Sequence, residues 1–98
     1  MNYALRFRPE VVTDLEDVAR WYDERSPGLG AEFLAESRTA LDRIAREPEQ
    51  TAADAECIRA HRLRRFPYVV YYRIDGAVIV VFAIMFGGRD PTVWQGRS

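Results

Sequence analysis

The chain has 98 residues and a mass of 11.3 kDa, which suits one compact domain and is too short for two. Cys57 is the single cysteine, so no disulfide can form within the chain. Hydrophobic residues make up 48% and charged residues 30%, proportions that exclude a disordered protein. The longest apolar run, residues 77–86, is far shorter than the roughly 20 residues that cross a bilayer. We therefore expect one cytoplasmic domain over residues 1–98, with no membrane partner and no secretory signal.

The net charge of −1 hides an uneven distribution of charge along the chain. Residues 1–56 carry thirteen acidic residues and seven arginines, a net charge of −6, whereas residues 57–98 carry seven arginines and two acidic residues, a net charge of +5. All fourteen basic residues are arginine, whose planar, permanently charged guanidinium group suits phosphate and carboxylate. We therefore predict one positive surface on the C-terminal strands and tail, opposite a negatively charged helical layer.

The first half of the chain predicts a short strand followed by two helices. Residues 3–7 alternate apolar and other side chains, the period of a strand with one apolar face. Pro9 suits the first position of a helix, and an apolar stripe at helical spacing extends that helix to about Glu24. After a break rich in proline and glycine, a second helical period covers about residues 30–47. The two helices should form a hairpin.

The second half predicts three strands, at Ile58–Phe66, Pro67–Ile74 and Ala77–Phe86. Asp75 and Gly76 form the residue pair that a type I′ hairpin turn prefers. Ile58 and Leu63 have opposite parity, so either a bulge interrupts the first of these strands or the strand begins nearer Arg62. The order β-α-α-β-β-β predicts an α+β fold, with a helical hairpin packed on one face of a small, mainly antiparallel sheet.

The last predicted strand is apolar on both faces, although one helical hairpin can cover only one face of a sheet. The first helix also has Val12, Ala19 and Trp21 beside its main apolar stripe. A partner helix in a groove, or a strand added at a sheet edge, would cover this surplus apolar surface. We therefore expect a protein partner that contacts these three residues and Tyr22.

Few side chains could transfer a proton at neutral pH. His61 is the only histidine, and together with Cys57 it gives two ligands where zinc needs three or four, so no metal and no cofactor is predicted. No Ser-His-acid triad or phosphate-binding loop can be identified. Arginines instead alternate with aromatic residues from Arg59 to Arg73, a pattern that suits anions, single-stranded nucleic acid or a protein partner, and that a solvated strand face also produces. The residues predicted to bind a target are Arg59, Arg62, Arg64, Arg65, Arg73, Arg89, Trp94 and Arg97.

Short sequence motifs are spread over nearly the whole chain. The N-terminal motifs are Arg-Phe-Arg-Pro-Glu at residues 6–10, Asp-Leu-Glu-Asp-Val at 14–18, Trp-Tyr at 21–22, Pro-Gly-Leu-Gly at 27–30 and Phe-Leu at 33–34. The C-terminal motifs are Arg-Leu-Arg-Arg-Phe-Pro-Tyr at 62–68, Tyr-Arg at 72–73 and Arg-Asp-Pro at 89–91, followed by Trp94. In this order and spacing they resemble the ParE branch of the ParE/RelE toxins.

The resemblance implies the toxin of a type II toxin-antitoxin system, neutralised by a cognate antitoxin whose C-terminal segment wraps the toxin. It implies inhibition of DNA gyrase, or of a similar macromolecular target, by binding. Contact with operator DNA is expected only through the antitoxin. Val12, Ala19, Trp21 and Tyr22 are the predicted antitoxin contacts, and the arginine-bearing sheet and tail are the predicted target contacts.

Two alternatives remain open. The first is a RelE-like nuclease that cuts mRNA on the ribosome, with His61 or one of three tyrosines activating the ribose 2′-hydroxyl while Arg62, Arg65 and Arg89 stabilise the transition state. Those tyrosines are Tyr68, Tyr71 and Tyr72. The second is a detoxified co-repressor that acts with its antitoxin. A departure from the family pattern motivates this second alternative. Relatives often have histidine, glycine and two arginines before Asp-Pro, whereas residues 86–89 here read Phe-Gly-Gly-Arg, so one imidazole and one cation are lost.

Overall fold

A hairpin of two helices packs against one face of a four-stranded sheet in the computed structural model, which describes residues 3–87. The elements are β1 (Ala4–Phe7), α1 (Pro9–Arg25), α2 (Leu29–Arg46), β2 (Arg59–Arg62), β3 (Tyr68–Asp75) and β4 (Val78–Phe86). The strand order is β1-β4-β3-β2, with β1 parallel to β4 and the other pairs antiparallel. The predicted α+β class and the element order are confirmed.

The helical hairpin is held by the turn between its helices. Pro9 opens α1, and Gly28 starts α2 with φ +91°, a left-handed conformation that favours glycine. The carboxylate of Asp23 accepts hydrogen bonds from the N–H groups of Gly28 and Gly30, at 3.2 and 2.8 Å. A Cβ on Gly30 would lie 2.2 Å from the carbonyl oxygen of Ala19, so only glycine lets the two helices approach this closely.

The main core lies between the helices and the sheet face that they cover, called the inner face below. Phe33 of α2 has no exposed surface, and its ring centroid lies 5.4 Å from Phe66 and 5.5 Å from Tyr68, both in edge-to-face geometry. Tyr22 of α1 joins the same cluster, 5.0 Å from Phe66. These aromatic contacts connect both helices, the loop after β2 and strand β3.

The opposite side of the sheet, called the outer face below, carries a smaller apolar cluster. Val69, Tyr71, Phe82 and Ala83 form it, with Ile58 and Met85 packed against it. The first four residues are at most 7% exposed, so the centre of this face is buried, and the predicted surplus of apolar surface is not found on this part of the sheet. Within residues 3–87 the large hydrophobic side chains that remain exposed are Phe7, Val12, Trp21, Leu34 and Phe86.

β2 is shorter than predicted. It covers only Arg59–Arg62, because Leu63 and Phe66 both turn into the core, with exposures of 7% and 6%. Both predicted alternatives, a bulge within a longer strand and a start nearer Arg62, are therefore wrong. The residues from Leu63 to Pro67 form a loop, called the 63–67 loop below.

The β3–β4 hairpin is confirmed, but its turn begins one residue later than predicted. Asp75 pairs with Val78, so the two loop residues are Gly76 and Ala77. Gly76 has φ +62°, while Cys57 is the only residue other than glycine with a positive φ in the described part of the chain. A positive φ at the first loop position alone defines a type II′ turn rather than type I′. In the described range, neither helix is long and apolar enough to span a membrane.

Candidate functional site

Strand pairing brings arginines from three strands to the outer face. Arg6 of β1 and Arg73 of β3 both pair with Val80 of β4, so the two arginines flank Val80 in one row across the sheet. At a strand spacing of about 4.8 Å, their backbones lie roughly 10 Å apart. Arg62 of β2 pairs with Val69, a member of the outer cluster, and so belongs to the same face. Arg6, Arg62 and Arg73 are called the outer-face arginines below.

A cavity of 160 Å³ opens beside the row that contains Arg6 and Arg73. Its lining includes Arg6, Arg8, Arg73 and Asp75. The Arg73 guanidinium lies 3.7 Å from the Asp75 carboxylate. The N–H group of Arg8 donates to the carbonyl of Val81 at 3.0 Å and so fixes the chain where β1 meets α1. The lining of this cavity therefore contains three arginines and one carboxylate.

Arg6 and Arg8 were not among the predicted target-binding residues. They belong to the N-terminal half, whose net charge of −6 does not predict a positive surface. A signal was present in the alternation of residues 3–8, which places both arginines on the side of β1 opposite Leu5 and Phe7. What the sequence does not show is that β1 pairs with β4, which places β1 two strands away from β3 and its Arg73.

Arg64 and Arg65 lie in the 63–67 loop and not on a strand. One carboxylate oxygen of Glu36 accepts hydrogen bonds from the backbone N–H groups of both residues, and the distance from this oxygen to the backbone nitrogen of Arg65 is 2.9 Å. The Arg65 guanidinium donates to Glu32 at 2.7 Å, and this hydrogen bond and charge raise the pKa of Arg65. Glu32 and Glu36 of α2 thus hold this loop against the helix.

The predicted separation of charge is therefore only partly present. α1 carries six acidic residues and two arginines, but α2 carries three of each, so the negative layer is α1 alone. Arg65 is neutralised by Glu32, whereas Arg6 and Arg62 have no carboxylate within 4 Å in the described part of the chain. Within residues 3–87, the positive surface on the outer face lacks Arg59 and Arg65 and includes Arg6 of β1.

Arg59 and His61 lie on the inner face, apart from the outer-face arginines. They pair with Tyr72 and Val70, which are members of the main core. The Arg59 guanidinium donates to the carbonyl oxygen of Thr51. Burial, and secondarily the charge of Arg43 on α2, lower the pKa of His61. The sequence places these two residues and Arg62 on one strand, but alternate residues of a strand point to opposite faces.

The tyrosines proposed as acids or bases are all part of the folded core. Burial raises the pKa of Tyr68, Tyr71 and Tyr72. The Tyr72 hydroxyl also donates to the carbonyl of Pro48 at 2.7 Å. Tyr71 faces the outer side with Arg62, whose charge opposes the effect of burial on its pKa, while His61 faces inward. The structure thus places Tyr71 on the face that carries Arg62 and His61 on the opposite face.

The residues predicted to contact an antitoxin fall into two groups. Val12 and Trp21 are 48% and 47% exposed, whereas Ala19 is 7% exposed and Tyr22 is half-buried in the aromatic cluster. Val12 and Trp21 are nine residues apart, which places them on opposite sides of α1 at 100° per residue. Arg25 covers the Trp21 ring, with the guanidinium carbon 3.5 Å from the ring centroid. The four residues therefore do not form one continuous patch.

Three predicted site residues, Arg89, Trp94 and Arg97, lie outside the described residues. Among residues 3–87, no group of three histidine, cysteine or acidic side chains is placed to hold a metal ion.

The fold and sequence place the chain among known proteins. Nine chains of solved structures match it. One, from the chromosomal ParDE TA system of P. aeruginosa, superposes with a TM-score of 0.76 at 17% identity, over 86% of this chain and 95% of that chain. No curated protein sequence matches. The family model of the ParE toxin of the type II toxin-antitoxin system parDE matches residues 5–91. The chain therefore belongs to the ParE toxin family of type II toxin-antitoxin systems.

Proposed function

We propose that this toxin inhibits DNA gyrase by binding, with the outer-face arginines as its main contacts, and that a cognate antitoxin neutralises it. Family membership supports a toxin, and the burial of the three sheet tyrosines supports binding over catalysis. The residues of the described chain are better suited to hold charged groups than to move protons.

The observation that carries this proposal is the placement of the ionisable side chains. Burial raises the pKa of the three sheet tyrosines, so at neutral pH their hydroxyls stay protonated and are poor bases. His61 lies on the inner face, while Arg62 and Tyr71 lie on the outer face. General acid–base catalysis needs its groups within hydrogen-bond reach of one substrate. Guanidinium groups cannot supply the missing proton transfer, because they stay charged at all relevant pH values.

The outer-face arginines favour a macromolecular target. They stand on three strands of one sheet, so their spacing is fixed by the backbone and not by flexible loops. Arginine forks bind carboxylate and phosphate through paired hydrogen bonds, and arginine is enriched among the residues that dominate protein interfaces. The buried apolar cluster between them supports these side chains from below.

Gyrase inhibition is tested by a supercoiling assay with the purified full-length chain. We expect loss of supercoiling and accumulation of cleaved DNA that is trapped on gyrase. Normal supercoiling and no trapped cleavage, at concentrations where circular dichroism shows a folded chain, would contradict the gyrase target. An Arg38→Gln variant, altered at an exposed position of α2, serves as the control and should inhibit as well as the natural chain.

For the antitoxin, we propose contacts at Val12 and Trp21, the two exposed members of the predicted set. Their positions on opposite sides of α1 suit a segment that wraps the helix, rather than one that lies on a flat patch. Ala19 and Tyr22 contribute mainly by supporting the helix from inside, because they pack against the core.

This proposal is tested by co-expressing the chain with a candidate antitoxin. Val12→Glu and Trp21→Glu should each weaken the complex by about tenfold or more, because each places a charge in an apolar contact. The control is Thr13→Glu, at an exposed polar position next to Val12. Equal affinity of all variants would exclude this surface and leave the gyrase result unaffected.

A further inference from the structure

A polar cleft lies between α2 and β2, on the side of the sheet that α2 covers. It has a volume of 60 Å³. Its polar lining comprises Glu36, Thr39, Arg43, His61, Arg62 and Arg64, while Ala40 and Leu63 are its apolar members. A single water molecule needs about 10–15 Å³ of cavity volume, so the cleft has room for a small polyatomic ion.

The cleft is made by elements whose positions are fixed independently. His61 points to the inner face because its β2 position pairs with Val70 of the core. Arg43 follows Ala40 on α2 by three residues, so both lie on the side of the helix that meets β2. Arg64 closes one end, because Glu36 binds its N–H group. The lining therefore comes from a helix, a strand and an anchored loop.

The charge in the cleft is positive and mostly uncompensated. Arg43 and Arg64 contribute two guanidinium groups, and neither has a carboxylate within 4 Å in the described range 3–87. Glu36 is the one carboxylate of the lining, and it already accepts the N–H groups of Arg64 and Arg65. Like charges brought together around a small space repel one another, and a bound anion would remove that repulsion.

From this geometry we propose that the α2–β2 cleft binds a phosphate group. Guanidinium groups that approach from different elements suit a tetrahedral anion with several acceptor oxygens, whereas a planar carboxylate is satisfied by one arginine fork. The imidazole of His61 supplies a further donor at the floor of the cleft. The proposal is independent of gyrase inhibition, because it rests on Arg43, Arg64 and His61, none of which is an outer-face arginine.

His61 provides the measurement, because it is the only histidine and its imidazole gives a single proton NMR signal. The full chain is titrated with inorganic phosphate at constant pH, against sodium chloride at equal ionic strength. We expect a saturable shift of the imidazole signal toward the protonated position, because the anion favours the charged ring. Chloride should give no saturable shift.

Two variants and one control test the residues. Arg43→Gln and Arg64→Gln should each weaken phosphate binding by about tenfold, since each removes a charge-assisted contact. Arg38→Gln, on α2 but outside the cleft lining, should leave the affinity within about twofold. Two cleft variants are used so that failure of one to fold does not remove the test.

The source of the phosphate is distinguished by two further probes. A nucleoside 5′-monophosphate offers a terminal phosphate, and a dinucleoside monophosphate offers only an internal diester. Binding of the first alone assigns the cleft to terminal phosphates, and binding of both assigns it to nucleic-acid backbones as well; either result supports the proposal. No saturable response to any phosphate probe, or a response unchanged in both cleft variants, would overturn it.

Discussion

The two faces of the sheet have the same strands but different roles. The inner face is covered by two helices and joined to them by Phe33 and its aromatic neighbours. The outer face has a small apolar centre, with arginines from β1, β2 and β3 around it. The inner face therefore holds the main core, and the outer face is where we propose that the target binds. Substitutions on the two faces should therefore have different effects.

The largest effect is expected from Phe33→Ala on the inner face. Phe33 is fully buried, so the variant leaves a cavity, and the free energy of unfolding should fall by about 3–5 kcal/mol. Chemical denaturation monitored by circular dichroism measures this loss. The matched control is Leu34→Ala, the adjacent residue at 42% exposure, which should cost about 1 kcal/mol or less. Similar losses in the two variants would show that the inner face is not the source of stability.

A smaller loss is expected where the two helices cross. Gly30→Ala places a methyl group against the backbone carbonyl of Ala19, and a backbone atom cannot move aside as a flexible side chain can. The free energy of unfolding should fall by about 1–3 kcal/mol. Arg38→Ala, at an exposed position of the same helix, should change it by no more than about 0.5 kcal/mol. An unchanged midpoint for the Gly30 variant would mean that the helices can separate without cost.

The smallest effect is a pH dependence that His61 confers. Because burial and Arg43 lower the pKa of folded His61, the unfolded chain binds a proton more readily below the ordinary pKa of 6.5. The contribution of His61 to stability is therefore fully present above pH 6.5 and is lost as the pH falls through the lowered pKa. Denaturation at pH 7.5 and pH 5.5 should show a smaller decrease in His61→Gln than in the natural chain. Equal decreases would indicate that His61 is not desolvated.

Local sequence patterns were sufficient to predict the fold in outline. Proline, glycine and the helical spacing of apolar residues predicted the ends of both helices to within about one residue. The residues around Gly76 predicted the position of the β3–β4 hairpin. The exact turn was missed because its type depends on which residues pair, and Asp75 pairs with Val78. The end of β2 was missed because Leu63 and Phe66 look like strand residues but fill the core beneath α2.

The candidate site was predicted less well, because it depends on contacts between distant parts of the chain. Arg65 and Glu32 are 33 residues apart, so no local spacing reveals that they form a pair. Arg6 joins Arg73 only through the pairing of both with Val80. His61 and Arg62 could have been assigned to different faces from the sequence, since adjacent residues of a strand point to opposite faces whatever the fold. The arginine composition therefore predicted that a basic surface exists, but not which residues form it.

The most direct test of the account is the affinity of gyrase for two sets of arginine variants. Arg6→Gln, Arg62→Gln and Arg73→Gln combined alter the outer face, whereas Arg64→Gln and Arg65→Gln combined alter the 63–67 loop and serve as the comparison. We expect the outer-face variant to lose at least about a hundredfold in affinity, and the loop variant to lose about tenfold or less. Equal affinity of the outer-face variant and the natural chain, with both folded, would contradict the claim that this face binds the target.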